Sequence, residues 1–223
     1  MDSTVKKVIA VAAVAFIAAI WVYGSYLPVR KAQIFISTLQ ELQTKPVTSL
    51  DELKSRLSAP LDYPSPIGQE ELVRNMANSV LAFVQRGADP TSTSELIGFL
   101  DSYYDPIISR GKGMSFGQDV YLLGMINELA FAHTGDGKYM DAAKKYYVEA
   151  NQLGPDRPQP LYGLFDVYRT MGDVPDTQMV VDKILANWPD DQGVRAALAQ
   201  FLNTVKPITA PVKPAATPKK PVK

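Results

Sequence analysis

Residues 160–189, PLYGLFDVYRTMGDVPDTQMVVDKILANWP, decide the fold of this chain. The segment ends at Pro189, which lies 34 residues after Pro155. Gly172 separates two stretches in which apolar residues recur at the spacing of an α-helix. A pair of helices of this length cannot bury its apolar face alone, so the period predicts stacked helical hairpins. The residues before the two prolines repeat at the same offsets: Ala143, Tyr147 and Ala150 against Thr177, Val181 and Ile184.

This hairpin resembles the tetratricopeptide repeat, a helix pair whose stacks bind other proteins. The chain departs from that family at Phe165, where the family prefers glycine, and at Thr177 and Ile184, where it prefers alanine. The resemblance implies a helical stack with adjusted packing at these three positions. The residues that carry it are Leu161, Leu164, Phe165, Tyr168, Gly172, Val174, Thr177, Val181, Ile184 and Pro189.

A less regular unit precedes this hairpin and resembles the same repeat. Its alignment with the repeat pattern shifts by one residue before Ala150. The two pairs and a capping helix cover residues 119–205. Because at least three stacked units are needed for stability, we expect residues 29–118 to supply helices that complete the stack. The slipped unit matches through Ile126, Leu129, Ala130, His133, Gly137, Tyr139 and Ala142.

A second resemblance covers more of the chain. Residues 121–131 (YLLGMINELAF), 153–169 (LGPDRPQPLYGLFDVYR) and 188–191 (WPDD) are similar to the C-terminal helical-repeat region of some bacterial O-antigen ligase or polymerase-like membrane proteins. In those proteins the enzyme is a domain with many membrane spans, which this chain does not contain. The resemblance implies a setting in the bacterial cell envelope and no ligase activity.

Residues 8–27, VIAVAAVAFIAAIWVYGSYL, form an uncharged apolar run. At about 1.5 Å per residue, a helix of this length crosses a hydrocarbon layer of about 30 Å. Trp21, Tyr23 and Tyr26 cluster at one end, where aromatic rings favour the headgroup region, and Pro28 is expected either to stop the helix or to mark its exit from the membrane. The run predicts a single transmembrane helix.

The flanking charges favour one orientation of this span only weakly, because two basic residues stand on each side. We expect residues 1–7 to form a short cytoplasmic tail, with the large domain outside, as in a signal anchor. The alternative is a secreted protein whose signal peptide is cleaved near Val22 and Gly24.

Four serine-containing signals predict helix starts after the span. We expect the corresponding helices to end near residues 58, 87, 104 and 133, with Pro60 and Pro106 as breaks. A last helix is expected over residues 190–205, followed by a disordered tail rich in proline, lysine and alanine over residues 206–223. No convincing strand is present, so the predicted class is all-α, a transmembrane helix followed by stacked hairpins. The signals are Ser49 with Glu52, Ser65 with Pro66, Ser92 with Glu95, and Ser115 with Gln118.

Charge and composition exclude several kinds of site. Residues 32–205 carry 14 basic and 22 acidic side chains, so this region repels phosphate backbones and nucleic acid is not an expected partner. The chain contains no cysteine and one histidine, which excludes disulfides, thiolate metal sites and multi-histidine motifs. No cofactor is expected, since Gly111, Gly113 and Gly117 have the wrong spacing for a dinucleotide loop.

Gly113, Ser115 and Gly117 spell G-x-S-x-G, and Asp119 and His133 follow in the order used by α/β-hydrolases. That motif needs a strand that ends in a strained turn, and no strand precedes it here. We therefore expect Ser115 to cap a helix and His133 to be structural. No catalytic residue is predicted.

The first helix of each pair supplies ligand contacts in tetratricopeptide stacks, from its concave face. By this resemblance, the candidate partner-binding residues are Gln159, Tyr162, Asp166 and Arg169, with Asn127 and Phe131 from the preceding unit. An ordinary solvated helix face remains an equal alternative. The family's carboxylate clamp is absent.

Three functions follow as hypotheses. The first is a membrane-anchored scaffold that binds a protein partner in the bacterial envelope. The second is an accessory to surface-polysaccharide assembly that binds glycan, or a polymerase or ligase, with Tyr162, Phe131 and Tyr103 or Tyr104 as aromatic platforms. The third, a serine hydrolase using Ser115, is remote, and we expect no enzyme activity.

Overall fold

A computed structural model describes residues 2–209. Within that range the chain forms nine α-helices and no strand, which confirms the all-α class. The helices are α1 Ser3–Thr44, α2 Leu50–Asp62, α3 Gln69–Gln85, α4 Pro90–Arg110, α5 Phe116–Thr134, α6 Gly137–Leu153, α7 Pro158–Met171, α8 Val174–Asn187 and α9 Gln192–Thr209.

The chain divides into two compact units between Gly154 and Pro155. The first unit contains α1 to α6, and the second contains α7 to α9. The sequence analysis instead grouped residues 119–205 as one repeat region. The observed boundary divides this region between the hairpin α5–α6 and the hairpin α7–α8.

Of the two alternatives for Pro28, the structure excludes a stop, because helix α1 continues past this residue. Residues Val22–Tyr26 form a π-helical turn, and the chain returns to α-helical geometry over Leu27–Thr44. A π turn widens the helix, so the ring of Pro28 fits where a regular α-helix would place a carbonyl against it. The proline therefore marks a change of helical winding and not the end of the helix.

The first half of α1 has no packing partner in the described chain. No residue of Ser3–Trp21 is buried, and Val11 and Phe16 are 70% and 68% exposed. By length and composition, α1 is able to cross a membrane. Its apolar side chains surround the whole helix, as a lipid-facing segment requires.

The second half of α1 joins the core of the first unit. Lys31 is 3% exposed, and its ammonium group donates hydrogen bonds to the carbonyl of Tyr63, at 2.8 Å, and to the side chain of Gln69. Phe35 and Leu39 pack against the core formed by α2 to α6. The apolar segment is thus attached to the folded unit by a buried, hydrogen-bonded cation.

Two predicted helix starts are wrong by three residues or more. Helix α3 begins after Gly68, whose φ of 86° is left-handed, and not at Pro66. Helix α4 begins at Pro90 because Asp89 accepts hydrogen bonds from the amides of Thr91 and Ser92, so Ser92 lies inside the helix.

Prolines do not end the helices where we expected. Helix α2 contains Pro60 and continues to Asp62, and α4 contains Pro106 and continues to Arg110. Leu61 and Ile107, which follow these prolines, are buried, and their packing offsets the lost backbone hydrogen bond.

Helices α5 and α6 form a closely packed hairpin. A Cβ atom placed on Gly124 would lie 2.5 Å from the ring of Tyr147, so the glycine is required for this approach. Tyr147 is 1% exposed and donates a hydrogen bond to Glu128 at 2.7 Å. The turn between the helices follows the predicted helix end near residue 133: Gly135 is left-handed and Asp136 caps α6.

The second unit matches the sequence prediction closely. Helix α7 ends at left-handed Gly172, and Asp173 caps α8 by accepting from the amide of Asp176 at 3.1 Å. Helices α7 and α8 pack together, as do α8 and α9, and α9 continues to Thr209, past the predicted end at 205. The rest of the predicted tail, residues 210–223, lies outside the described residues. The buried side chains of this unit include Leu161, Leu164, Val181, Ile184 and Val194.

Candidate functional site

The second unit carries an open groove of about 470 Å³, which we call the Tyr162 groove. It lies between the start of α7, the end of α8 and the connection to α9. Its walls combine two aromatic rings, two proline rings, two carboxylates and an amide. The lining residues are Pro158, Tyr162, Asn187, Trp188, Pro189, Asp190 and Asp191.

The connection between α8 and α9 is fixed by hydrogen bonds at both ends. The amide of Trp188 donates to Ile184 at 2.8 Å and ends α8, and Pro189 cannot continue the helix. The carboxylate of Asp191 accepts from the amide of Val194 at 3.0 Å and caps α9. The two caps hold the intervening residues in a defined position beside α7.

Tyr162 joins α7 to this connection. Its hydroxyl donates a hydrogen bond to Oδ2 of Asp191, while Oδ1 of the same carboxylate caps α9. Burial, together with the hydrogen bond to Asp191, raises the pKa of Tyr162 to about 12. The same bond, and then the amide of Val194, lower the pKa of Asp191. Tyr162 therefore stays neutral and Asp191 charged at physiological pH.

Charge in the Tyr162 groove is predominantly negative. Asp190 is exposed and has no ion-pair partner among the described residues, whereas Asp191 is held by Tyr162 and lies near Arg195. The guanidinium of Arg195 donates to the carbonyl of Pro189 at 2.9 Å. Aromatic and proline rings beside an exposed carboxylate suit an extended ligand that offers proline or another flat apolar group together with a cation.

The structure places four predicted residues on one face of α7, at Gln159, Tyr162, Asp166 and Arg169. Only Tyr162 lines the groove. Asp166 and Arg169 form an ion pair at 2.8 Å, and the guanidinium lies 5.5 Å from the ring centre of Phe165. Gln159 is exposed near the start of the helix.

The predicted contributions from α5 need correction. Asn127 is 5% exposed, and its amide donates to the carbonyl of Leu123 at 2.9 Å within the same helix. Phe131 packs against the core of the first unit. Tyr104, a proposed glycan platform, is 1% exposed. Asn127 and Phe131 follow the buried Leu123 by four and eight residues, so helical spacing places them on the core-facing side of α5.

The serine of the G-x-S-x-G motif and His133 lie at opposite ends of α5. Ser115 is the N-cap residue of α5, as predicted, although its side chain donates to Asp119 at 3.2 Å and makes no capping bond. His133 lies in the last turn of the same helix, about 27 Å along the axis. The histidine therefore cannot serve Ser115 as a base.

Sequence reasoning missed a buried polar cluster between α3, α4 and α5. Asp119 is fully buried, and burial raises its pKa to about 6, although the nearby Arg74 opposes the shift. One oxygen of Asp119, one nitrogen of Arg74 and the hydroxyl of Tyr104 are buried without hydrogen-bond partners in the described chain. Glu70 pairs with Arg110 at 2.9 Å beside them. The cluster links three helices.

In the sequence, residues 188–191 were noted only for their resemblance to a family. That these residues would line a groove was not predicted. Tyr162 and Asp191 are 29 residues apart, so only the packing of α7 near the α9 cap brings them together. Within residues 2–209, no group of three or more potential metal-ligating side chains is assembled.

Comparison of the chain with family models, curated proteins and solved structures gives no match. The function is therefore argued from the Tyr162 groove and from α1.

Proposed function

We propose that this protein is a membrane-anchored helical scaffold that binds a protein partner through the Tyr162 groove. The observation that carries the proposal is the Tyr162–Asp191 hydrogen bond, which holds α7 against the α9 cap and so maintains an open groove with half-buried aromatic rings and the exposed carboxylate of Asp190. Helix α1 supplies the anchor, because its first half exposes apolar side chains on all sides.

The location in a bacterial envelope, with the helical unit outside the membrane, rests on the two family resemblances and on the short basic leader. In this arrangement the groove is available to partners outside the membrane. The tetratricopeptide likeness supports binding to a protein, because the groove opens beside α7, the first helix of the best-matched pair.

The partner is expected to present an extended segment. The groove is open and shallow, so it accommodates a strand-like or polyproline-type chain more readily than an enclosed small molecule. Asp190 provides a negative charge at its edge, which favours a lysine or arginine in the bound segment.

The test uses full-length protein cross-linked in native membranes and then purified in mild detergent. Partners recovered with the parent chain are compared with those of Trp188→Ala, which removes a groove wall, and Gln200→Ala, which changes an exposed residue of α9 outside the lining. The proposal predicts a partner lost with Trp188→Ala and retained with Gln200→Ala. A partner retained equally by both variants, each shown by circular dichroism to be folded, would rule the groove out.

Glycan binding is a second candidate, favoured by the combination of Trp188 and Tyr162 with Asn187 and Asp190. Aromatic faces with neighbouring amide and carboxylate oxygens suit sugar rings, and this would fit an accessory of polysaccharide assembly. Trp188 is one of two tryptophans, so a Trp21→Phe variant makes its fluorescence a direct reporter. Titration with envelope oligosaccharides that leaves this fluorescence unchanged removes the candidate.

A further inference from the structure

We propose that the Tyr162 groove is occupied by the C-terminal segment of its own chain, with residues 218–221, PKKP, as the part that docks. This inference goes beyond the proposed function. It holds whether or not an external partner also uses the groove, because it concerns only two parts of one chain.

The sequence after α9 has the chemistry that the groove fits. Residues 210–223 read APVKPAATPKKPVK and contain two Pro-x-x-Pro motifs, at 211–214 and 218–221. In a polyproline II helix, which has three residues per turn, prolines three positions apart in a sequence share one face. Grooves lined by aromatic rings recognise such segments.

The lining of the groove provides the matching surfaces. Tyr162 and Trp188 supply aromatic rings, and Pro158 and Pro189 extend the apolar wall on which proline rings can lie. Asp190 stands at the edge, exposed and without an ion-pair partner in the described range. Because Arg195 lies near Asp191, Asp190 is the carboxylate assigned to a lysine of the segment.

Charge complementarity favours the same occupant. Residues 155–205 carry seven aspartates and four basic side chains, so this stretch is negative by three charges. Residues 206–223 carry five lysines and no acidic residue. Opposite charges on a folded surface and a tethered segment raise the fraction of time that the two are in contact.

The length of the chain selects one motif over the other. Helix α9 begins beside the groove at Gln192 and leads away from it for about 26 Å to Thr209. Since any chain spans at most about 3.6 Å per residue, the five residues from Thr209 to Pro214 cover at most about 18 Å, whereas the nine residues to Pro218 can cover about 32 Å. Only residues 218–221 can return to the groove of the same chain.

The test uses full-length protein that carries Trp21→Phe, in detergent, with acrylamide quenching of Trp188 as the readout. An effective concentration on the order of 1 mM for a short tether keeps the groove occupied more than half the time if the free segment binds with a Kd below about 1 mM. Changing Pro218 and Pro221 to alanine is then expected to raise the quenching constant about twofold. The matched control, Pro211→Ala with Pro214→Ala, is expected to leave it unchanged.

A charge exchange tests the pairing itself. Asp190→Lys alone, or Lys219→Glu with Lys220→Glu alone, is expected to expose Trp188, and combining all three changes is expected to restore protection. A free peptide of residues 216–223 should also restore protection to the Pro218, Pro221 variant. The inference is overturned if the two proline pairs behave alike, or if protection falls on dilution, which would show exchange between copies.

Discussion

The Tyr162 hydroxyl donates to the Asp191 carboxylate, whose other oxygen caps α9, so a single side chain joins the second turn of α7 to the start of α9. The contact also sets one wall of the Tyr162 groove. Stability of the second unit and accessibility of the groove are therefore linked through one hydrogen bond.

Replacing Tyr162 by phenylalanine should destabilise the second unit. The change keeps the ring but removes its hydrogen bond to the Asp191 carboxylate, so the free energy of unfolding should fall. Urea unfolding followed by Trp188 fluorescence in the Trp21→Phe background measures the loss. Arg169→Ala is the control, since its ion pair with Asp166 is exposed and should change stability by less than about 1 kcal/mol. Equal effects of the two variants would show that the bond to Asp191 has no structural role.

Adding one methyl group at Gly124 should destabilise the α5–α6 hairpin. A Cβ there meets the buried ring of Tyr147 at 2.5 Å, and the hydroxyl of that ring is held by Glu128. Overpacking of this kind costs about 1–3 kcal/mol. Gly98→Ala is the matched control: this helical glycine has open space around its Cβ, so the substitution should stabilise α4 by up to about 1 kcal/mol. Thermal unfolding that shifts in the same direction for both variants would contradict the close packing.

Stability should fall as the pH rises from about 4 to about 6, through Asp119. The unfolded carboxyl releases its proton near pH 4 and the folded one near pH 6, so the folded state binds more protons in this window. The Asp119→Asn variant has no carboxyl at this position, so this contribution to the pH dependence of stability is absent. The unfolding free energy of the variant minus that of the parent should grow through the window by up to about 3 kcal/mol. Parallel pH profiles in chemical denaturation would refute a buried, raised-pKa carboxyl.

Signals between neighbouring residues were enough to predict the helix ends of the α7–α8 hairpin. Features that depend on contacts between residues far apart in the sequence were not predicted. Gly172 and Asp173 end and restart helices through bonds to near neighbours, so the sequence pattern was sufficient there. Ser92 carried an equally local signal, but Asp89 caps the helix three residues earlier with two amide hydrogen bonds. Two capping patterns close together cannot be ranked without the backbone geometry.

The residues of the candidate site were also only partly predictable from the sequence. Tyr162 was predicted from the repeat likeness, whereas Trp188 and Asp190 were not, because their place beside Tyr162 depends on how α7, α8 and α9 pack. Asn127 was misplaced because a polar residue on an apolar helix face gives no sign that its amide will bond to its own helix.

Removing the buried cation that holds α1 should loosen the anchor from the first unit. Lys31→Met keeps the length of the side chain but leaves the carbonyl of Tyr63 and the side chain of Gln69 without this donor. An unpaired buried polar group costs about 1–3 kcal/mol. Limited proteolysis between α1 and α2, near Lys45, should become faster, whereas Arg30→Met, at an exposed neighbour, should not change the rate. Equal rates for the two variants would show that Lys31 does not hold α1.

The central claim, a helical domain held outside a membrane by α1, is tested most directly by cysteine labelling, because the chain has no cysteine of its own. Ser3→Cys and Asn78→Cys place single thiols at exposed positions before the span and in α3. With an impermeant maleimide on intact spheroplasts, the account predicts labelling of Asn78→Cys at once and of Ser3→Cys only after permeabilisation. Labelling of Asn78→Cys only after permeabilisation, or release of the protein by alkaline extraction, would contradict it.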